Sequence, residues 1–194
     1  MRQMVGRILV AGLMLSALIA LTLPAFASAA SGTRDSDEYR YRETPVVPTV
    51  TLSADEQMLL DLINDERAKK DLGALTMNPA LVTSARAHST EMASKKYFGH
   101  NSYNGERFDS RIARLGYAKT GYSSWRVGED IYWGCNLFSS PVAVVQAWMA
   151  SSAHRAVMLD ANVTEIGIGK TFTGSFKGQT NVSIYTLDTG KRAQ

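Results

Sequence analysis

VAVVQAWMASSAHRAVMLDANVTEIGIGK, residues 142–170, is the stretch on which the fold turns. Val142, Val145, Trp148 and Met149 recur at three- and four-residue steps, the spacing of one apolar face of a helix, whereas Val163, Ile166 and Ile168 after Asp160-Ala161-Asn162 have the short spacing of a strand. The reading places His154 where a helix runs out and a strand begins. A side chain at such a junction is held by rigid elements and can still face a cleft, which makes an imidazole there a candidate for chemistry. Only two other histidines occur, His88 and His100.

Upstream, Ser53-Ala54-Asp55-Glu56 has the form of a capping box, in which the hydroxyl and the carboxylate satisfy each other's backbone amides. Met58, Leu59, Leu62 and Ile63 follow as an apolar stripe, predicting a helix to about Lys70 that Gly73 ends. Asn78-Pro79 supplies a cap and a first-turn proline for a second helix of about twenty residues carrying Leu81, Val82, Ala85, His88, Met92 and Tyr97. On that apolar face His88 reads as a buried histidine bonded to a carbonyl or carboxylate. His100 opens a polar loop, and Phe108–Leu115 reads as a short helix stopped by Gly116, with Arg111 tying the loop down through carbonyls or Asp109. Residues 122–134 read as an extended piece interrupted at Gly128, and Ser140-Pro141 opens the helix that leads to His154. A strand from Thr164 to Phe172, a glycine-rich turn over 173–178 and an alternating strand through Val182, Ile184, Tyr185 and Leu187 complete the chain.

The ends read differently. Arg2 and Arg7 precede a continuous apolar run, Ile8–Leu23, which Pro24 breaks before small residues at Ala25, Ala27 and Ala29. Residues 1–29 therefore read as a cleaved export signal and not as an anchor, and no stable membrane span is expected after cleavage. Residues 30–51 have a linker's composition, 52–190 form the domain, and 191–194 are expected to be a tail. Without Arg2 and Arg7, 19 basic side chains face 18 acidic ones, so nothing points to nucleic acid. One cysteine, Cys135, excludes an internal disulfide, and it reads as a small half-buried side chain. The 194-residue length suits one domain, expected to be a monomer in the extracellular space.

Six blocks in order carry a resemblance: Leu62-Ile63-Asn64-Asp65-Glu66-Arg67, Ala87-His88 with Glu91-Met92, Phe98-Gly99-His100, Gly128-Glu129-Asp130, Trp148 to Arg155, and Glu165-Ile166-Gly167-Ile168-Gly169. The region from Ser53 to Leu187 is similar to the bacterial branch of the CAP superfamily of cysteine-rich secretory proteins, venom antigens and pathogenesis-related proteins. The resemblance implies an α+β fold, a three-layer α/β/α sandwich with a small, mostly antiparallel sheet between helices. It also implies a cleft in which His100 and His154 match the family's two histidines and Glu129 the glutamate of a Gly-Glu-Asn block. Two positions depart from the pattern: Asp130 stands where Asn is usual, and Ser151 stands where many relatives have a second glutamate.

Two imidazoles beside a carboxylate can hold Zn²⁺ or another divalent cation with open water positions, with His100 and His154 as ligands and Glu129 as ligand or orienter. The expected function is an exported binding module whose cleft, lined by His100, Glu129, His154 and Ser151, takes a peptide, a glycan or a lipid. The alternative is a metal-assisted hydrolase with Glu129 as catalytic general base. Ser151 or Ser152 beside His154 lacks the oxyanion-hole glycines that a serine hydrolase needs.

Overall fold

A computed structural model describes residues 50–194; the signal reading and nearly all of the linker reading fall on residues outside the described ones. Helix α1 spans Ala54–Ala68 and begins with the expected capping box, Ser53 Oγ accepting from the Glu56 amide while the Glu56 carboxylate accepts from the Ser53 amide. Its inward face is Leu59, Leu60 and Ile63. Met58, expected inside, is half exposed. Asp71, with φ 55°, turns the chain out of the helix, a role the sequence reading gave to Gly73.

Strand β1 (Thr76–Met77), which the sequence reading missed, leads into α2 (Pro79–Lys95), capped by the Asn78 side chain. Then follow α3 (Phe108–Arg114), β2 (Ser124–Cys135), a 3₁₀ turn (Asn136–Ser139), α4 (Pro141–Ala150), α5 (Ser152–Met158), β3 (Glu165–Phe176) and β4 (Gln179–Ala193). The strands lie in the order β1-β3-β4-β2, antiparallel except for β1 against β3. Helix α2 packs on one face through Leu81, Ala85 and Met92, and α1 and α4 on the other through Leu59, Ile63, Val144, Val145 and Trp148. These are the three layers of an α+β sandwich. Central β4 is buried on both faces from Val182 to Gly190.

Several boundaries differ from expectation for identifiable reasons. Gly128 does not interrupt β2; a Cβ there would come within 2.9 Å of Thr189 Oγ1 and 3.2 Å of Val157, so the glycine admits α5 to the strand. Most of the glycine-rich segment 173–178 is strand, because only Lys177 and Gly178, both with positive φ, are needed to turn it. The expected tail continues β4, with Lys191, Arg192 and Ala193 pairing with Arg126, Trp125 and Ser124. Val142, taken as part of the buried stripe of α4, is exposed, and Val144 takes its place. Trp148 is fully buried, its indole donating to the Ile131 carbonyl at 3.3 Å.

Candidate functional site at the edge of the sheet

The largest correction concerns His154. Ser151, at φ −93° and ψ 124°, is extended and divides the expected single helix in two, so His154 lies in the short α5 and not at a helix–strand junction. Val157 lies against Gly128 on this side of β2. Because successive strand side chains alternate, Glu129 points to the opposite face, toward α2 and the loop that carries His100. α5 and the loop that carries His100 thus lie on opposite sides of the outer strand. His100 and His154 are each half-buried, burial lowers the pKa of each, and the His100 charge lowers that of His154 further.

Glu129 is the fixed centre. Its side chain is 0 % exposed, with Oε1 2.8 Å from His100 Nδ1 and Oε2 receiving a bond from Arg111 Nη2. Arg111, itself buried, also donates from Nη1 to the His100 carbonyl at 3.0 Å and to Ser102 Oγ at 3.1 Å. The arginine therefore ties down the loop through a carbonyl, as the sequence suggested. Its acidic partner is Glu129, while Asp109 is held by Arg107. With Nδ1 committed to Glu129, His100 keeps Nε2 as its available nitrogen, and its side chain is 48 % exposed.

Behind this triad stands an acid that sequence reasoning missed. Asp188 lies directly opposite Glu129 in the β2–β4 ladder, is fully buried, and has neither oxygen in a well-formed hydrogen bond. Burial pushes both carboxyls up, and the Glu129 charge adds to the rise at Asp188. Arg111 opposes the rise at both but bonds only Glu129, so of the pair Glu129 carries the charge and Asp188 the proton. The available signal was an acid set among the inward positions Val182, Ile184 and Thr186 of a strand, which only the pairing register could connect to Glu129.

His88 has a different role from His100 and His154. It is fully buried in α2, bonds the Gly99 carbonyl through Nε2 at 2.9 Å, and burial, aided by the Arg111 charge, holds its pKa down at about 4. A neutral ring with Nε2–H fixes the chain where it turns toward His100. Ser151 is partly buried and its side chain caps nothing. No helix among the described residues is long and apolar enough to cross a membrane.

This arrangement can be set beside known proteins. A sequence model of the cysteine-rich secretory protein family, CAP, matches residues 60–185. The chain belongs to the CAP family. Among curated proteins, YkwD of Bacillus subtilis is 38% identical over 126 residues, 64% of this chain and 46% of that protein. The membrane protein YlbC of the same organism is 31% identical over 124 residues, 62% of this chain and 34% of that protein. The chain thus spans less than half the length of either relative. Among solved structures, an outer surface protein of Borrelia burgdorferi superposes with a TM-score of 0.58 at 21% identity, covering 74% of this chain and 96% of that one. An extracellular protein of Bacillus anthracis containing an SCP domain gives 0.56 at 24% identity, covering 75% and 45%. These similarities establish the CAP fold.

The donor set fits the divalent ion that the sequence suggested only in part. Among the described residues, no group of three or more His, Cys, Asp or Glu side chains is disposed to hold a metal ion. Glu129 is sealed behind His100 and Arg111, which removes it as a ligand. It fits the other role, since a metal-binding imidazole is usually oriented by a carboxylate on its second nitrogen. What the geometry offers is one pre-oriented imidazole, His100, with Nδ1 on Glu129 and Nε2 left available.

Proposed function

We propose that this CAP domain is an exported binding module whose cleft presents His100 and His154 to an extracellular ligand, directly or through a divalent ion such as Zn²⁺. The observation that carries the reading is the burial of Glu129 with both oxygens engaged. A general base must reach the water it activates, and a carboxylate closed in by an arginine and an imidazole does not. The metal-assisted hydrolase is therefore the weaker reading. His100 and His154 would hold the ion, which when bound would supply open positions for a donor atom of a peptide, glycan or lipid. Export is supported by the apolar N-terminal run ending at Pro24 and by the extracellular and outer-surface character of two structurally similar proteins.

Calorimetric titration of Zn²⁺ tests the site. His100→Ala and His154→Ala are each expected to abolish most of the binding, Glu129→Gln to weaken it about ten- to a hundredfold by releasing His100, and His88→Ala to leave it nearly intact. Because burial lowers the pKa of both cleft histidines, proton competition should set in below their ordinary value of about 6.5. Equal binding by the parent and His154→Ala would remove the ion from the reading, and loss on His88→Ala would mean that the wrong histidines were paired. Turnover of a peptide or ester by the Zn²⁺-loaded protein, abolished in Glu129→Gln, would replace the module with the hydrolase.

A further inference from the structure

A cavity of about 170 Å³ opens between α2, α3 and the loop that follows His100. Ala87 and Leu115 give it apolar walls, and Glu91, Asn104, Glu106 and Arg114 give it polar ones. Arg111 borders it too, with its guanidinium committed to Glu129, Ser102 and the His100 carbonyl.

Most of the charge here cancels. Arg114 donates from Nε and Nη2 to the two oxygens of Glu106 at 2.8 and 2.7 Å, and Arg111 answers Glu129. Glu91 is the remainder. Its Oε2 accepts from the Tyr97 hydroxyl at 2.5 Å and from the Tyr103 amide at 3.2 Å, while among the described residues Oε1 has no hydrogen-bond partner and no lysine or arginine pairs with the carboxylate. Lys95, one helical turn on, is spaced to do so, yet its Nζ lies over the Tyr103 ring, 5.8 Å from the centroid. His88 offers no proton either. With Nε2–H spent on the Gly99 carbonyl, its buried Nδ1 is an acceptor without a donor, 3.8 Å from Glu91 Oε2. Two acceptors thus face one another, and the cavity is left with a net negative charge at Glu91.

The chemistry of the occupant follows from which oxygen is open. A guanidinium pairs best with both oxygens of a carboxylate, and Oε2 is taken. A divalent ion needs several anionic or imidazole donors, and among the described residues no group of three or more is disposed for one. An ammonium is a compact charge with three N–H donors, which suits a single open carboxylate oxygen flanked by the side-chain oxygens of Asn104 and Glu106. Its alkyl stem has Ala87 and Leu115 to lie along.

We propose that this cavity receives a primary ammonium on a short alkyl stem, the end of a lysine side chain or of a free alkylamine, with Glu91 as its counter-ion and Asn104 and Glu106 as further acceptors. The site uses neither His100 nor His154, so it stands or falls apart from the reading of those two residues.

Chemical-shift titration of the full chain by NMR tests it, with n-butylamine and Nα-acetyl-lysine N-methylamide as probes. Saturable shifts are expected at Ala87, Asn104 and Leu115, with dissociation constants in the millimolar range that suits one ammonium–carboxylate pair. n-Butanol, which has the stem without the charge, and n-butylguanidine should each bind about tenfold more weakly or worse. Both sources of the ammonium support the proposal: a lysine amide about tenfold tighter than n-butylamine names a peptide, and comparable binding names the free amine. Glu91→Gln, which keeps an acceptor for Tyr97 and Tyr103, should weaken n-butylamine about tenfold. Ala87→Leu, at an exposed helix position, fills the cavity and should weaken it as much without shifting the melting midpoint. Equal binding of n-butylamine and either analogue, equal n-butylamine binding by the parent and Glu91→Gln, or no shift at these residues would overturn the proposal.

Discussion

The carboxyl of Asp130 is buried on the α5 side of β2, one residue from the charge on Glu129, and its Oδ2 accepts no hydrogen bond. Burial, with the Glu129 charge adding to it, raises its pKa to about 8. A raised carboxyl pKa means that the folded protein keeps a proton that the unfolded chain releases, so this residue lowers stability progressively as pH rises from about 4 to about 8 and costs nothing below that window. Asp130→Asn should therefore stabilise the domain by on the order of 2 to 4 kcal/mol at pH 8 and by under about 1 kcal/mol at pH 4. Urea denaturation at the two pH values measures it, and an equal effect at both would show that Asp130 ionises freely in the folded state. The sequence already marked this position as a departure from the pattern the chain resembles. It could not mark Asp188, because nothing local to that residue shows that β4 sets it against Glu129.

Among the elements, what the sequence made legible tracked local periodicity. The capping box, Asn78-Pro79 and the inward face of α2 from Leu81 to Met92 are written in short-range patterns, and all of them form. The break at Ser151 is not, because residues 142–158 continue an apolar helical pattern while the extended Ser151 divides α4 from α5, which packs against Gly128. The glycines of β3 were legible as a motif and not as a mechanism. A Cβ on Gly167 would overlap the Leu81–Val82 backbone, and one on Gly169 would overlap the Ala85–Arg86 backbone, so these two residues let α2 lie on the sheet. Backbone cannot yield as a side chain can. Gly167→Ala and Gly169→Ala should each cost about 3 kcal/mol or more, whereas Gly128→Ala, which meets only the Thr189 hydroxyl and the Val157 methyls, should cost about 1 to 2 kcal/mol. Thermal melts rank the three, and a Gly128 variant less stable than both others would refute this account of the α2 contact.

At the scale of the whole molecule, three layers meet on β4. It pairs with β2 on one side and β3 on the other, and its Val182, Ile184, Tyr185 and Leu187 serve the cores of both faces. Glu129 gains its buried surroundings only when β4 lies beside β2, so the site is as much a property of the last strand as of the loop that carries His100. Placing Lys191–Ala193 within that strand extends the reading, since removing residues 179–194 deletes the central strand of the sheet. A chain ending at Gly178 should show no cooperative unfolding transition by circular dichroism, and a sharp transition there would mean that the helices hold together without it. The order of synthesis then matters. Every helix described here and the edge strand emerge from the ribosome before the strand that must separate β2 from β3, and pairing Ser124 with Ala193 closes a loop spanning half the domain. Such long-range closure makes folding slow and leaves it a late event, so the nascent polypeptide should stay open and accessible to proteases or translocation machinery until its synthesis is nearly complete.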